Sequence, residues 1–440
     1  MSRDRPERAV AVSNCRGLCL NAASCWPRTL FLAISGSGAP HSWSSNSMHL
    51  ASVRDISCAF FLVSAVALTG CSPRRTGPSR DHGLAEGSTS VRPIGAPLAP
   101  LPPEAATADI THFTFIAYGD SRGRHDGQAL QYEHGLVVQS MLKRIASIGS
   151  AHDSVRFVVW SGDATVDGRI PAQWNVSFDP LVERITGAGV PFFPAPGNHD
   201  VAHTDTRDSR DREQALKNYY SAFEYLIPPA GAPRRLAGYP TYAFGYGNSF
   251  LIGWDSNIAS DSTQFAWIRA QLEGLDRTRY PNVFVFQHHP AFSSGRHGGP
   301  HADEQTLVIR TRYMPLFLKH HVRLILAGHE HLFEHWVERY QDGAGKSYRL
   351  DQIVSGGGGA PIYTYTSEPD LSDYLKSGSA LKGSLEHLVR PGTTESSNPY
   401  HFVIVHVDGT DIRIEVVGAE HDFHPYGVST MDLGPTVTNR

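Results

Sequence analysis

The sequence predicts an α/β fold in which two mixed β-sheets pack face to face with helices outside. From Thr111 onward short apolar runs alternate with helix-periodic stretches, and the C-terminal half is dominated by strand patterns. The 440 residues allow one large domain or two ordinary ones, and a hydrophobic content of 40% is enough for a core.

The apolar run FTFIAYG (113–119) reads as a buried strand. Leu130, Val137, Val138, Met141, Leu142 and Ile145 recur at helical spacing within 128–148, and VRFVVW (155–160) is the next strand. Pro171, a favoured first-turn residue, opens a helix over 171–187, followed by a short strand in VPFFPAP (190–196). TYAFGY (241–246) and SFLIGWD (249–255) are strands. A helix at 263–276 then precedes NVFVFQ (282–287), and a helix near 311–320 precedes VRLILAG (322–328). Strands follow around 333–340 and 347–354, and HFVIVHV (401–407) and DIRIEVV (411–417) flank an Asp408-Gly409 turn as a closing hairpin. Residues 367–398 are polar and aperiodic and read as a long surface insertion, and there is no internal repeat.

Net charge is only −4 with mixed signs, so no nucleic-acid surface is evident. All five cysteines lie between Cys15 and Cys71. The domain that follows therefore has no thiolate to offer, and any metal it holds uses oxygen and nitrogen donors. Histidine is abundant, at 23 residues, 20 of them from His112 onward.

Residues 58–70, CAFFLVSAVALTG, are too short for a comfortable membrane span and fit the apolar region of a secretion signal. The run ends Leu68-Thr69-Gly70-Cys71, which resembles a bacterial lipobox. That reading makes 1–71 an address, with 1–47 a misassigned extension ahead of Met48. It predicts a protein held at the membrane of the bacterial cell envelope through lipidated Cys71, on the periplasmic or extracellular face. An ordinary apolar N-terminal helix is the plainer alternative. Residues 72–110, rich in Pro, Gly, Ala and Ser, read as a flexible linker, with a domain over 111–420 and a tail over 421–440.

Five segments place metal-capable side chains just after apolar strands: Gly119-Asp120-Ser121-Arg122, Gly162-Asp163, Gly197-Asn198-His199-Asp200, His288-His289-Pro290 and Gly328-His329-Glu330-His331. Ligands in α/β sheets bind beyond the carboxyl ends of strands. Asp, Asn and His donors together suit Zn, Mn or Fe better than Ca or Mg. A lone Gly-Asp marks a turn more often than a ligand; the ordered set, repeated at strand ends, carries the signal. That set resembles the calcineurin-like metallophosphoesterase superfamily over roughly 111–420, and segments such as VFVFQHHPAFSSG (283–295) and IVSGGGGAPIY (353–363) resemble its purple-acid-phosphatase-like branch.

The resemblance implies a four-layer α/β/β/α sandwich and two divalent or trivalent transition-metal ions. Asp163 would bridge them, Asn198, His288 and His329 would complete one shell, and Asp120 and His331 would bind the other ion. A metal-bound hydroxide would attack phosphorus in line. His199 would serve the leaving group, with Asp200 as the partner fixing its tautomer.

Two positions depart from the pattern. Members with a histidine two residues after the first aspartate have Arg122 here, and the purple enzymes' tyrosine is Val166. A guanidinium does not ligate metal. Arg122 either reaches the substrate phosphate or pairs with a neighbouring acid. The first ion should bind more weakly than the second, and iron-loaded protein should lack an intense visible tyrosinate band, which an absorption spectrum checks. The reading is thus a phosphomonoesterase acting on a small-molecule or macromolecular phosphate ester. A phosphodiesterase, or a non-catalytic envelope lipoprotein retaining the fold, are the alternatives.

Overall fold

A computed structural model describes residues 89–147, 154–202, 208–377, 383–419 and 430–435, the last in backbone alone. The expected signal segment, Cys71 and the first part of the linker lie outside the described residues. Among those described, no helix is long and apolar enough to cross a membrane.

The chain runs β1 (His112–Tyr118), α1 (Tyr132–Ser147), β2 (Val155–Trp160), α2 (Asp179–Gly187), β3 (Phe192–Pro194) and α3 (Arg210–Ala222). It continues with the hairpin β4 (Tyr242–Tyr246) and β5 (Ser249–Gly253), then α4 (Ser262–Glu273), β6 (Asn282–Phe286), α5 (Glu304–Val308), α6 (Met314–Lys319) and β7 (Leu324–Ala327). The remainder is β8 (Phe333–Gln341), β9 (Ser347–Ser355), α7 (Ser372–Lys376), β10 (Ser384–Val389), β11 (His401–Asp408), β12 (Asp411–Gly418) and β13 (Thr430–Pro435).

One sheet has the order β13-β12-β11-β1-β2-β3 and the other β10-β8-β9-β7-β6-β5-β4. β1, β2 and β3 are parallel, as are β5, β6, β7 and β9, so the carboxyl ends of β1–β3 and of β6 and β7 carry the loops that matter. Alternation along β6 shows how the layers form. Phe284 and Phe286 join the core between the sheets, where Phe284 lies 5.7 Å from Phe115, while Val283 and Val285 join a second core with Ile268 and Leu272 of α4 and Phe317 of α6. On the first sheet's other face, Trp160 packs 5.3 Å from Phe178, just ahead of α2. Side chains of a strand alternate between faces, so each sheet is buried on both sides and its strands read as continuous apolar runs. This is the two-sheet, helix-flanked architecture expected.

Four expectations need correction. Residues 89–110, assigned to a flexible linker, pack against the domain in the structure: Val91 and Ile94 are buried, Ile94 N–H donates to Ala222 O at 2.9 Å, and the Glu104 carboxylate accepts from Gly245 N and Tyr280 OH at 2.8 and 2.9 Å. Two apolar anchors suffice where average composition reads as unstructured. The polar stretch 367–398 contains α7 and the edge strand β10, which pairs antiparallel with β8. The tail 421–440 contributes β13, paired with β12. The helix expected near 311–320 begins at Glu304 and carries a π-helical turn over Ile309–Tyr313. α3 escaped the periodicity reading, because its buried positions include Arg212, Ala215 and Asn218.

Candidate metal centre

Each expected donor leaves its strand within a few residues of the strand's end: Asp120 after β1, Asp163 after β2, Asn198 after β3, His288 after β6 and His329 after β7. The turns are tied across strands. Asp120 N–H donates to Gly162 O at 2.8 Å, Ser121 N–H to Asp163 O at 3.0 Å, and His329 N–H to Asp120 Oδ2 at 2.9 Å. Asp120, Asp163 and His329 have φ of 60°, 64° and 71°, three of the five non-glycine residues with positive φ among those described. Asp and His tolerate this region better than most residues, and a backbone held there is over-determined by its surroundings. Gly197 is required by crowding, since a Cβ there would sit 2.2 Å from Asp163 Oδ1.

Hydrogen bonding fixes what the imidazoles present. His288 Nδ1 faces Ser161 O at 2.8 Å, so it carries the proton and Nε2 keeps a lone pair. That Nε2 lies 2.7 Å from Asn198 Oδ1, 3.5 Å from Asp163 Oδ1 and 3.1 Å from His329 Nδ1. His329 Nε2 faces Asp303 Oδ2 at 2.8 Å, which in the neutral ring leaves Nδ1 as a lone pair too. Burial holds His288 neutral, its pKa pushed down to about 3. Asp163, Asn198 and His329 thus gather around His288 Nε2 as electron-pair donors, and the set fits a transition-metal ion.

The group Asp120, Asp163 and His331 offers three ligand atoms within 4.8 Å of one another, all buried. His331 Nδ1 faces Pro361 O at 2.7 Å, leaving Nε2 as the donor, 3.6 Å from Asp120 Oδ1. Burial and the Asp163 charge drive the Asp120 carboxyl well above the ordinary range. Burial also pushes Asp163 up, but His288, His199 and Arg122 outweigh it and hold its carboxyl below that range. Two carboxylates so placed call for positive charge between them. Arg122 already supplies one: its Nε lies 3.3 Å from Asp163 Oδ2 and its Nη2 3.4 Å from His331 Nε2. This position fits an ion less well than the other.

His199 lines a cleft of about 350 Å³ together with Arg122, Asp163, Asn198, Arg296, His297, Asp303, His329, His331 and Tyr363. Its Nδ1 lies 2.7 Å from Val166 O and its Nε2 4.0 Å from Asp163 Oδ2. This corrects the expectation for Asp200. The carbonyl of Val166, not Asp200, sets the His199 tautomer. The buried Asp200 carboxylate instead accepts from Asp163 N, Ala164 N and Gly197 N at 2.8, 2.7 and 2.7 Å, clamping two ligand-bearing turns together. Val166 is 42% exposed, and its amide donates to Asp126 Oδ2 at 3.2 Å. Gly356–Gly359 run beside the site, with Gly358 N–H donating to Gly119 O at 2.9 Å.

Three residues here were missed from sequence. Glu330 accepts from Arg296 N and His297 N at 2.8 and 2.6 Å, pinning the cleft-lining loop to the β7 turn. Tyr363 stacks on His331 with centroids 4.0 Å apart. Asp303 holds His329 and also approaches His297 Nδ1 at 3.5 Å. His289 completes a second titratable group with Asp303 and His329, but its Nδ1 pairs with Ser256 Oγ at 2.9 Å and Asp303 is already bonded to His329, so this group reads as support for the His329 ring. Asp303→Asn is expected to weaken metal binding by about 10- to 100-fold, as loss of an outer carboxylate does; competition with a chromogenic chelator measures it.

Residues 137–333 match the calcineurin-like phosphoesterase family. Purple acid phosphatase 21 of Arabidopsis thaliana is 26% identical over 189 residues, covering 42% of this chain and 40% of that protein. The Fe(3+)-Zn(2+) purple acid phosphatase 12 of the same plant is 25% identical over 185 residues, covering 40% and 36%. The chain thus spans less than half the length of these curated relatives. The structure of purple acid phosphatase PPD1 from yellow lupin (Lupinus luteus) seeds superposes with a TM-score of 0.53 at 16% identity, over 74% of this chain and 54% of that one, a likeness of fold.

Proposed function

We propose that this chain is a phosphoric ester hydrolase that cleaves phosphate esters at the centre built from Asp120, Asp163, Asn198, His288, His329 and His331, and that monoesters are its preferred substrates. The observation that carries the proposal is the convergence of Asp163, Asn198, His288 and His329 beside a small polar cleft lined by Arg122 and His199. A transition-metal ion held there, Fe, Mn or Zn, would polarise the phosphoryl group and acidify an attacking water.

The chain's own residues would do the rest. Arg122 presents an always-charged fork to the phosphoryl oxygens. The Val166 carbonyl holds the Nδ1 proton of His199, so Nε2 faces the cleft and can hold a proton for the leaving oxygen. A dianionic monoester gains more from Arg122 than a singly charged diester does, and a cleft of about 350 Å³ suits a phosphoryl group with a modest leaving group. The same proposal keeps the protein in the cell envelope, anchored through Cys71; it rests there on the N-terminal sequence alone.

Turnover of p-nitrophenyl phosphate against its bis-ester tests this, with the purified chain supplied with Fe, Mn or Zn. The monoester should win by at least about tenfold in kcat/KM, about 1.4 kcal/mol in the barrier. A reversed ratio makes the chain a diesterase, and turnover of neither with any of the three ions removes the proposal.

A further inference from the structure

We infer that the guanidinium of Arg122 stands in for the first of the two cations, so that this chain holds one tightly bound metal ion, at the Asp163–Asn198–His288–His329 position. The inference rests on the metal-centre reading above and deepens it.

The two halves of the centre differ in what the chain itself provides. At the second position the ring nitrogens of His288 and His329, apart from each other, face Ser161 O, Asn198 Oδ1, Asp163 and Asp303, none of them a cation, while the His289 and His297 rings pack beside His329 at 4.3 and 4.6 Å between centroids. In the neutral rings lone pairs face lone pairs there, and an added ion resolves the arrangement. At the first position the donors are Asp120, Asp163 and His331, and Arg122 touches two of the three through different nitrogens, 3.3 Å from Asp163 Oδ2 and 3.4 Å from His331 Nε2. Its side chain is only 16% exposed, so this charge is not diluted by solvent. The planar fork suits the task, because it reaches a carboxylate and an imidazole at once and does not lose its proton.

The ligand count agrees. The first position has three protein donors and the second has four, with Asp163 belonging to both sets. Neither side chain that could complete the first shell does so: Arg122 only donates hydrogen bonds, and Val166, 42% exposed, has no ligand atom in its side chain. A metal ion placed among Asp120, Asp163 and His331 would sit against a guanidinium that has nowhere else to put its charge without abandoning a buried carboxylate. Arg122 thereby also serves the reaction, as a fixed positive charge lining the cleft in place of an exchangeable one.

Metal-free full-length chain titrated with Zn and, separately, Mn tests the inference, with bound metal counted by elemental analysis after gel filtration. Wild type should take up one tight equivalent, any second being at least about 100-fold weaker, as a like charge at contact distance in a part-buried site requires. Arg122→His, which removes the fixed cation and adds a ligand, should take up two. Its Mn form should show the electron paramagnetic resonance signature of a coupled pair, which wild type should lack. Arg122→Gln, which removes charge without adding a ligand, should tighten the second equivalent without reaching the histidine variant, and its melting curve controls for folding. Two tight equivalents in wild type would overturn the inference while leaving the metal centre standing. A wild type that binds none would remove the centre itself, and a wild type with one equivalent whose number does not change in Arg122→His would also overturn the inference.

Discussion

Asp163→Asn is expected to lower kcat/KM for a phosphate ester by at least about 1000-fold, about 4 kcal/mol of transition-state stabilisation, while leaving the fold intact. Asp163 uses both carboxylate oxygens. Oδ1 lies 3.5 Å from His288 Nε2 and accepts the His199 amide at 3.0 Å, and Oδ2 faces Arg122 Nε at 3.3 Å. An asparagine would keep one oxygen and turn an N–H toward the other neighbour, opposing a guanidinium with a second donor. In metal-free protein the same change removes a carboxylate that His288, His199 and Arg122 hold ionised and leaves the Arg122 guanidinium without it, so the melting temperature should fall modestly while the protein stays folded. Steady-state kinetics beside a thermal melt of the metal-free form check both halves. Retention of a tenth or more of the activity would mean that Asp163 is not at the reacting centre.

Arg212→Ala is expected to destabilise the protein by about 3–5 kcal/mol, because it strands the Asp255 carboxylate in a fully buried site. That is a large share of the roughly 5–15 kcal/mol that holds a domain together. The pair matters to the centre as well as to stability. Arg212 lies on α3, and the Asp255 carboxylate also accepts from Asn257 N and Nδ2 at 3.1 and 2.9 Å. Asn257 Nδ2 in turn donates to Pro196 O at 3.1 Å, immediately before the Gly197 turn. Urea denaturation measures the cost, and a loss below about 1 kcal/mol would show that the pair is not a buried constraint.

Strand ends were legible from sequence because an apolar run followed by Gly-Asp or Gly-His leaves little choice about where the polar residue emerges. The supporting residues were not. Asp303 sits at the start of a helix, where an acidic residue is common for reasons of capping and helix dipole, and its partner His329 is 26 residues away. Adjacency suggested that Asp200 serves His199, yet its carboxylate reaches three backbone amides of the neighbouring turns instead. Arg122 was recognisable as a departure from the family pattern, but which charges it faces depends on turns after β2 and β7 meeting over β1, which no local pattern encodes. α3 and residues 89–110 were missed for a related reason: their burial depends on partners far along the chain, such as Asp255 for Arg212 and Asn175 for Arg92, whose amide donates to Asn175 Oδ1 at 2.8 Å.

Stripping the purified chain of metal and then restoring it one ion at a time tests the central claim most directly. The convergence of Asp163, Asn198, His288 and His329 predicts that chelator-treated protein, shown metal-free by elemental analysis, has no measurable phosphoesterase activity and regains it with Zn, Mn or Fe. Undiminished turnover by the metal-free chain would contradict it.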